Sequence, residues 1–141
     1  MIKSVGIIGG GFIGDALARE LNNKKYQVKV SFRSNEPENK VSGIEYYYCD
    51  ANENPESLSG PLFNVDSLVI CIPPGFKNKV GEFYASRIKT LTQAAQNHKV
   101  KQVVFTSSTG IYTKLGINNE LSAIDCSQAK PKVLYDAEQT V

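Results

Sequence analysis

A short apolar run, Val5-Gly6-Ile7-Ile8, is followed at once by Gly9-x-Gly11-x-x-Gly14, and a helical pattern of Phe12, Ile13, Ala16, Leu17 and Leu21 begins inside it. Such a run suits a strand buried on both faces. Each glycine then answers a separate need. Gly9 permits a sharp turn out of the strand, Gly11 permits the backbone to approach a pyrophosphate, and Gly14 permits the helix to sit close to the sheet. The N–H groups of the first helical turn, those of Phe12 and Ile13 among them, point with the positive end of the helix dipole at the phosphates. A glycine-rich turn in another kind of α/β protein is the alternative.

The rest of the composition narrows the class. The 141 residues suit one domain, residues 1–141, with a real core. A net charge of +2 makes no field that would call for nucleic acid or an anionic membrane. No apolar run approaches the roughly 20 residues of a membrane span. The chain enters a strand immediately, without the charged and apolar regions of a signal peptide. Cys49, Cys71 and Cys126 are odd in number and widely spaced, which fits reduced thiols in a cytoplasmic protein, two of them in strands. With His98 as the single histidine, no metal site is expected; its place near a helix end suits a C-terminal charge interaction.

Taken in order, strands and helices alternate. Helix one covers about Phe12 to Asn23, and Gln27 to Phe32 reads as strand two, ended by Arg33-Ser34-Asn35-Glu36-Pro37. Ile44 to Cys49 is strand three, and Asn54-Pro55-Glu56-Ser57-Leu58 has the makings of a short helix. Leu68 to Ile72 is strand four, cut off by Pro73-Pro74-Gly75. From about Lys79 to Asn97, Tyr84, Ile88, Leu91 and Ala95 recur at helical spacing. Lys101 to Ser107 is strand five, and a last helix starts near Lys132.

Strands separated by helices imply parallel β-α-β units with right-handed crossovers, hence an α/β, doubly wound parallel sheet (a Rossmann fold) of strand order 3-2-1-4-5. Ligands bind such sheets at the carboxyl ends of the strands, near the switch point between strands one and four. There the glycine loop, Arg33-Ser34, Asp50-Ala51, Ile72-Pro73 and Ser107-Ser108 converge.

The end of strand two bears on which dinucleotide is taken. A sheet that selects NAD usually places an acid there to accept both ribose hydroxyls. Here Phe32 is followed by Arg33 and Ser34. An arginine can pair with a 2′-phosphate and lie over adenine, and the serine can donate to the same phosphate. NADP is therefore expected ahead of NAD, with a solvated loop arginine as the alternative.

The glycine motif together with Phe105-Thr106-Ser107-Ser108-Thr109-Gly110-Ile111-Tyr112 resembles the NAD(P)-dependent epimerase/dehydratase group, the extended and atypical short-chain dehydrogenase/reductases. The resemblance implies that Ser108 hydrogen-bonds the reacting oxygen of a substrate. It also implies that Asp50 contacts the adenine amino group, with the Ala51 backbone beside it. A nucleotide sugar or small carbonyl compound is the substrate class it suggests.

Two departures qualify the likeness. The family's usual Tyr-x-x-x-Lys pair is missing: counting back from Glu138-Gln139 puts Leu134 at the lysine position and Lys130 at the tyrosine position, and Tyr135 has no lysine four places on. A tyrosine without a nearby cation keeps its reference value of about 10 and is a poor base at neutral pH. The chain also stops inside the helix after strand five, so it resembles a cofactor-binding half, either truncated or naturally short. A non-catalytic dinucleotide sensor is thus the second reading. Tyr84, Ile88 and Leu91, widened by Phe83 and Ala94, form a stripe that either packs on the sheet or pairs across a homodimer axis.

Overall fold

The computed structural model describes residues 1–56, 58, 60–75 and 80–141. Five strands, β1 (Ser4–Ile8), β2 (Gln27–Phe32), β3 (Ile44–Tyr48), β4 (Ser67–Ile70) and β5 (Gln102–Phe105), form one sheet in the order 3-2-1-4-5. Every pairing is parallel, with Ile7 facing Val30 of β2 and Val69 of β4. The helices are α1 (Phe12–Asn23), α2 (Tyr84–Asn97) and α3 (Ala129–Glu138).

Side-chain alternation along the strands sorts the core into two layers. Val5, Ile7, Val28, Val30 and Val69 pack with Ala18 of α1 on one face. Ile8, Leu68 and Ile70 pack with Ile88 and Leu91 of α2 and Leu134 of α3 on the other. Ile7, Leu68, Ile70, Ile88, Leu91 and Leu134 are fully buried. Each such side chain contributes about 1.5–3 kcal/mol through burial.

The stripe on α2 is core. Tyr84, Ile88, Leu91 and Ala94 are at most 1% exposed, and only Phe83 reaches solvent. Of the two readings of that stripe, packing on the sheet is the one these side chains follow, so they offer no surface to a second copy.

Element ends depart from the sequence expectations for local reasons. A 3-10 turn, Val80–Phe83, precedes α2 where a continuous helix was expected, and Lys79 lies outside the described residues. The last helix begins at Ala129, earlier than expected, because Pro131 stands in its first turn, where a missing N–H leaves no bond unmade. Where a short helix was expected after Asn54, the Leu58 N–H donates to the Asn54 carbonyl, and Ser57 lies outside the described residues. β4 ends at Ile70 and β5 at Phe105, two residues early in each case. Cys49 and Cys71 consequently lie just beyond β3 and β4 rather than in them. His98 caps α2 through its backbone N–H, and its ring stacks on Phe63 at 5.5 Å.

The amino end of the sheet is tied by Asp66. Its carboxylate accepts from the backbone N–H groups of Lys3 and Ser4, from the Ser4 hydroxyl and from the Lys101 ammonium. These partners, Lys101 first, hold its carboxyl well below the usual carboxylate range. A depressed folded-state pKa stabilises the fold above the unfolded value of about 3.9, and the effect is lost as pH falls through the folded value. Asp66→Asn should therefore lower the urea midpoint at pH 7 and make it less sensitive to acid between pH 5 and 2. An unchanged acid limb in the variant would show that the cluster does not matter to stability.

Candidate functional site

Where β1 ends, the chain turns through Gly9 in the left-handed region (φ +100°). The Gly9 N–H donates to the Ser31 hydroxyl at 2.8 Å and the Gly10 N–H to the Ser31 carbonyl at 3.2 Å, so the loop is fastened to the end of β2. Ser31 itself is buried. A Cβ on Gly14 would lie 2.0 Å from the Gly9 carbonyl oxygen, so α1 meets the β1 exit with no room for a side chain. At Gly11 the situation is the reverse: nothing lies within 4 Å of where a Cβ would be.

Gly11 is the N-cap of α1, and the first intrahelical bond runs from the Asp15 N–H to its carbonyl. The N–H groups of Phe12, Ile13 and Gly14 therefore precede the first helical donor, that of Asp15, and have no acceptor within the helix. The Phe12 and Ile13 side chains point into solvent, so any part these residues play is a backbone part.

In front of this loop lies a cavity of about 490 Å³, within the range of small-molecule sites. It is bounded by the carboxyl ends of β1 to β4. Of the residues expected from sequence, Gly9, Gly11, Arg33, Ser34, Asp50, Ala51, Ile72 and Pro73 line it. Asp50 is steadied by its own turn, its Oδ1 accepting from the Asn52 N–H at 3.0 Å and the Asn52 side-chain amide at 2.7 Å.

Ser107 and Ser108 stand outside that lining, beyond β4 at the end of β5. The Ser107 hydroxyl donates to Glu138 of α3. Ser108 caps the 3-10 turn Thr109–Ile111, its hydroxyl oxygen accepting from the Gly110 N–H at 3.2 Å. At the positions of the absent pair, Leu134 is fully buried, and Lys130 passes close to Gly110.

Other parts of the wall were not expected from the sequence. Ser31 shows only as one residue of a β alternation. Asp15 lines the cavity while bridging to Arg19 at 2.8 Å. Arg87 of α2 lines it too, and its Nη2 donates to the Pro74 carbonyl at 3.1 Å. Tyr84, one turn earlier, donates its O–H to the Ile72 carbonyl at 2.9 Å. Burial pushes the Tyr84 phenol up to about 12, so it remains a donor at neutral pH. The two bonds hold the Ile72–Pro74 wall from α2.

Of the cysteines, Cys49 lines the cavity, and it stands there as the protonated thiol at neutral pH. Burial, and then the charges of Glu53 and Asp50, push the Cys49 thiol up to about 12, and burial also raises Cys71. Among the described residues no three His, Cys, Asp or Glu side chains converge as a metal site would require. No helix among them is long and apolar enough to cross a membrane.

A glycine loop at the first helix, with a cavity at the switch point of a doubly wound sheet, defines the class of dinucleotide-binding α/β domains. A family model described as NAD(P)H-binding matches residues 9–136, and the chain belongs to that family. Protein YeeZ of Escherichia coli strain K12 is 30% identical over 121 residues, covering 79% of this chain and 42% of the relative. The chain thus spans less than half the length of the curated relatives it matches. Among solved structures, the UDP-N-acetylglucosamine 4-epimerase of Bacillus cereus superposes with a TM-score of 0.74 at 20% identity, over 99% of this chain and 49% of the other. MoeE5 in complex with UDP-glucose and NAD gives 0.76 at 20% identity, over 98% and 47%. The likeness to the epimerase/dehydratase group therefore stands as a shared fold within an NAD(P)H-binding family.

The glycines separate folding from binding. Gly14→Ala should cost about 3 kcal/mol, the upper end of ordinary overpacking, because its obstacle is a backbone carbonyl. Gly11→Val should cost only about 1 kcal/mol, for a poorer N-cap. It should nevertheless weaken binding of the reduced dinucleotides at least hundredfold, about 2.7 kcal/mol. Urea unfolding and fluorescence titration of both variants check this. A Gly11→Val protein that binds like the parent would show that the loop is not the phosphate site.

Proposed function

We propose that this chain binds NADP(H) in preference to NAD(H), as the cofactor-binding part of an epimerase/dehydratase-like or reductase-like protein. The observation that carries the reading is the β2 exit, where Arg33 and Ser34 line the cavity and no acid follows the strand directly. The carboxylates that do line it, Asp15 and Asp50, come from α1 and from the segment after β3.

A dinucleotide fits the residues present. The N–H groups of Phe12 to Gly14 would hold its pyrophosphate over the open space at Gly11. Arg33 and Ser34 would hold a 2′-phosphate, and Asp50 and Ala51 would meet the adenine. Ile72 and Pro73 would flank the path toward β5, with Ser107 and Ser108 at its far end. When bound, the nicotinamide supplies a site that accepts or delivers hydride. For substrate, a nucleotide sugar or small carbonyl compound is supported by the fold shared with an epimerase and with a protein whose complex holds UDP-glucose. Ser108 would bond the reacting oxygen after turning its hydroxyl away from its capping role.

A second reading is supported by Leu134. A fully buried leucine stands where the lysine of the resembled pair belongs, which favours a dinucleotide-binding sensor that turns nothing over. Both readings share the cofactor, and the preference for it is testable directly. The chain should bind NADPH at least about tenfold more tightly than NADH, or 1.4 kcal/mol. Arg33→Ala should remove most of that margin. Equal affinities at low salt with Arg33 intact would contradict the proposal.

A further inference from the structure

Arg87 is 7% exposed, yet it lines the same cavity as Arg33. Two contacts hold it at the wall: the Pro74 carbonyl accepts from Nη2, and the Tyr84 ring lies 5.7 Å from its central carbon. Tyr84 is fully buried and Pro74 half-buried, so the side chain is held rather than draped. Its neighbours add a second observation. Burial first, and then the Arg33 charge, lower the Arg87 pKa, while Tyr84 and Asp50 act the other way. Arg33 and Arg87 thus bring like charges to one cavity from two different elements, β2's exit and α2.

We propose that Arg87 is a second determinant of cofactor choice, closing with Arg33 a two-guanidinium clamp on the 2′-phosphate of an adenosine nucleotide. The inference rests on the NADP(H) reading above. A doubly charged phosphate between the arginines turns their mutual repulsion into attraction to a shared ligand. A ribose carrying two hydroxyls cannot do so. The planar guanidinium fork also matches phosphate oxygens better than an ammonium would. Because Arg87 is already immobilised by Pro74 and Tyr84, little side-chain freedom is lost when the anion binds.

The test uses 2′,5′-ADP and 5′-ADP as probes, titrated into the full chain and into Arg33→Ala, Arg87→Gln and Arg87→Lys. The parent should prefer 2′,5′-ADP by at least about tenfold. Arg87→Gln should lose about tenfold for 2′,5′-ADP and stay within about twofold for 5′-ADP, and Arg87→Lys should fall between parent and Gln. If the parent discriminates but Arg87→Gln weakens both probes equally, or neither, the clamp is wrong while the NADP(H) reading stands. If the parent does not discriminate, that reading fails and the clamp fails with it. Should Arg87→Gln not fold, the Arg87 side-chain N–H resonance of the parent, assigned with Arg87→Lys, decides. A shift with 2′,5′-ADP alone supports the clamp, and equal shifts with both probes overturn it.

Discussion

The structure depends on one close approach, that of Gly14 to the carbonyl of Gly9. It sets α1 directly over the exit of β1, and the turn between them has no slack. Gly10 is pressed less tightly on the other side, where a Cβ would meet the Val30 side chain at 2.8 Å. Gly9 is held in the left-handed region with its N–H on Ser31. The loop's shape is therefore a packing result, made by contacts to β1 and β2. Its chemistry belongs to Gly11, the glycine that packs against nothing. Folding and binding are separated over three residues.

From that point the sheet divides the labour between its ends. The amino end is closed by Asp66, which joins the start of β1 to the entries of β4 and β5. The carboxyl end is left open, and the elements around it are braced from behind. Tyr84 and Arg87 grip the carbonyls of Ile72 and Pro74, and the two prolines offer no N–H of their own to compete. A braced wall against a packed loop sets the shape of the cavity in advance of any ligand.

Much of this was legible in the sequence because it has short-range causes. The glycine spacing, the apolar strand runs and the proline stop after β4 each declare themselves within a few residues. Arg33 and Ser34 were legible because the sheet topology fixes where β2 ends. Ser31 and Arg87 were not. Ser31 reads as one hydroxyl in a strand, and only the fold places it under the glycine loop. Arg87 reads as a polar position on a long helix, and only the packing of α2 against the β4 exit buries it. α3 starts before Lys132, where a helix start was expected, because its first turn accommodates Pro131. Ser108 was legible as a residue at the end of β5, but its hydroxyl's local partner, Gly110, emerged only with the 3-10 turn that follows it.

Backbone amide resonances followed during titration with NADPH report on whether the dinucleotide lies across the β1–β4 crevice. Saturable shifts are expected at Gly9 to Gly14, Arg33 and Ser34, and Asp50 and Ala51, with the Asp66 end of the sheet unmoved. Shifts absent at millimolar NADPH, or gathered away from the glycine loop, would contradict that placement.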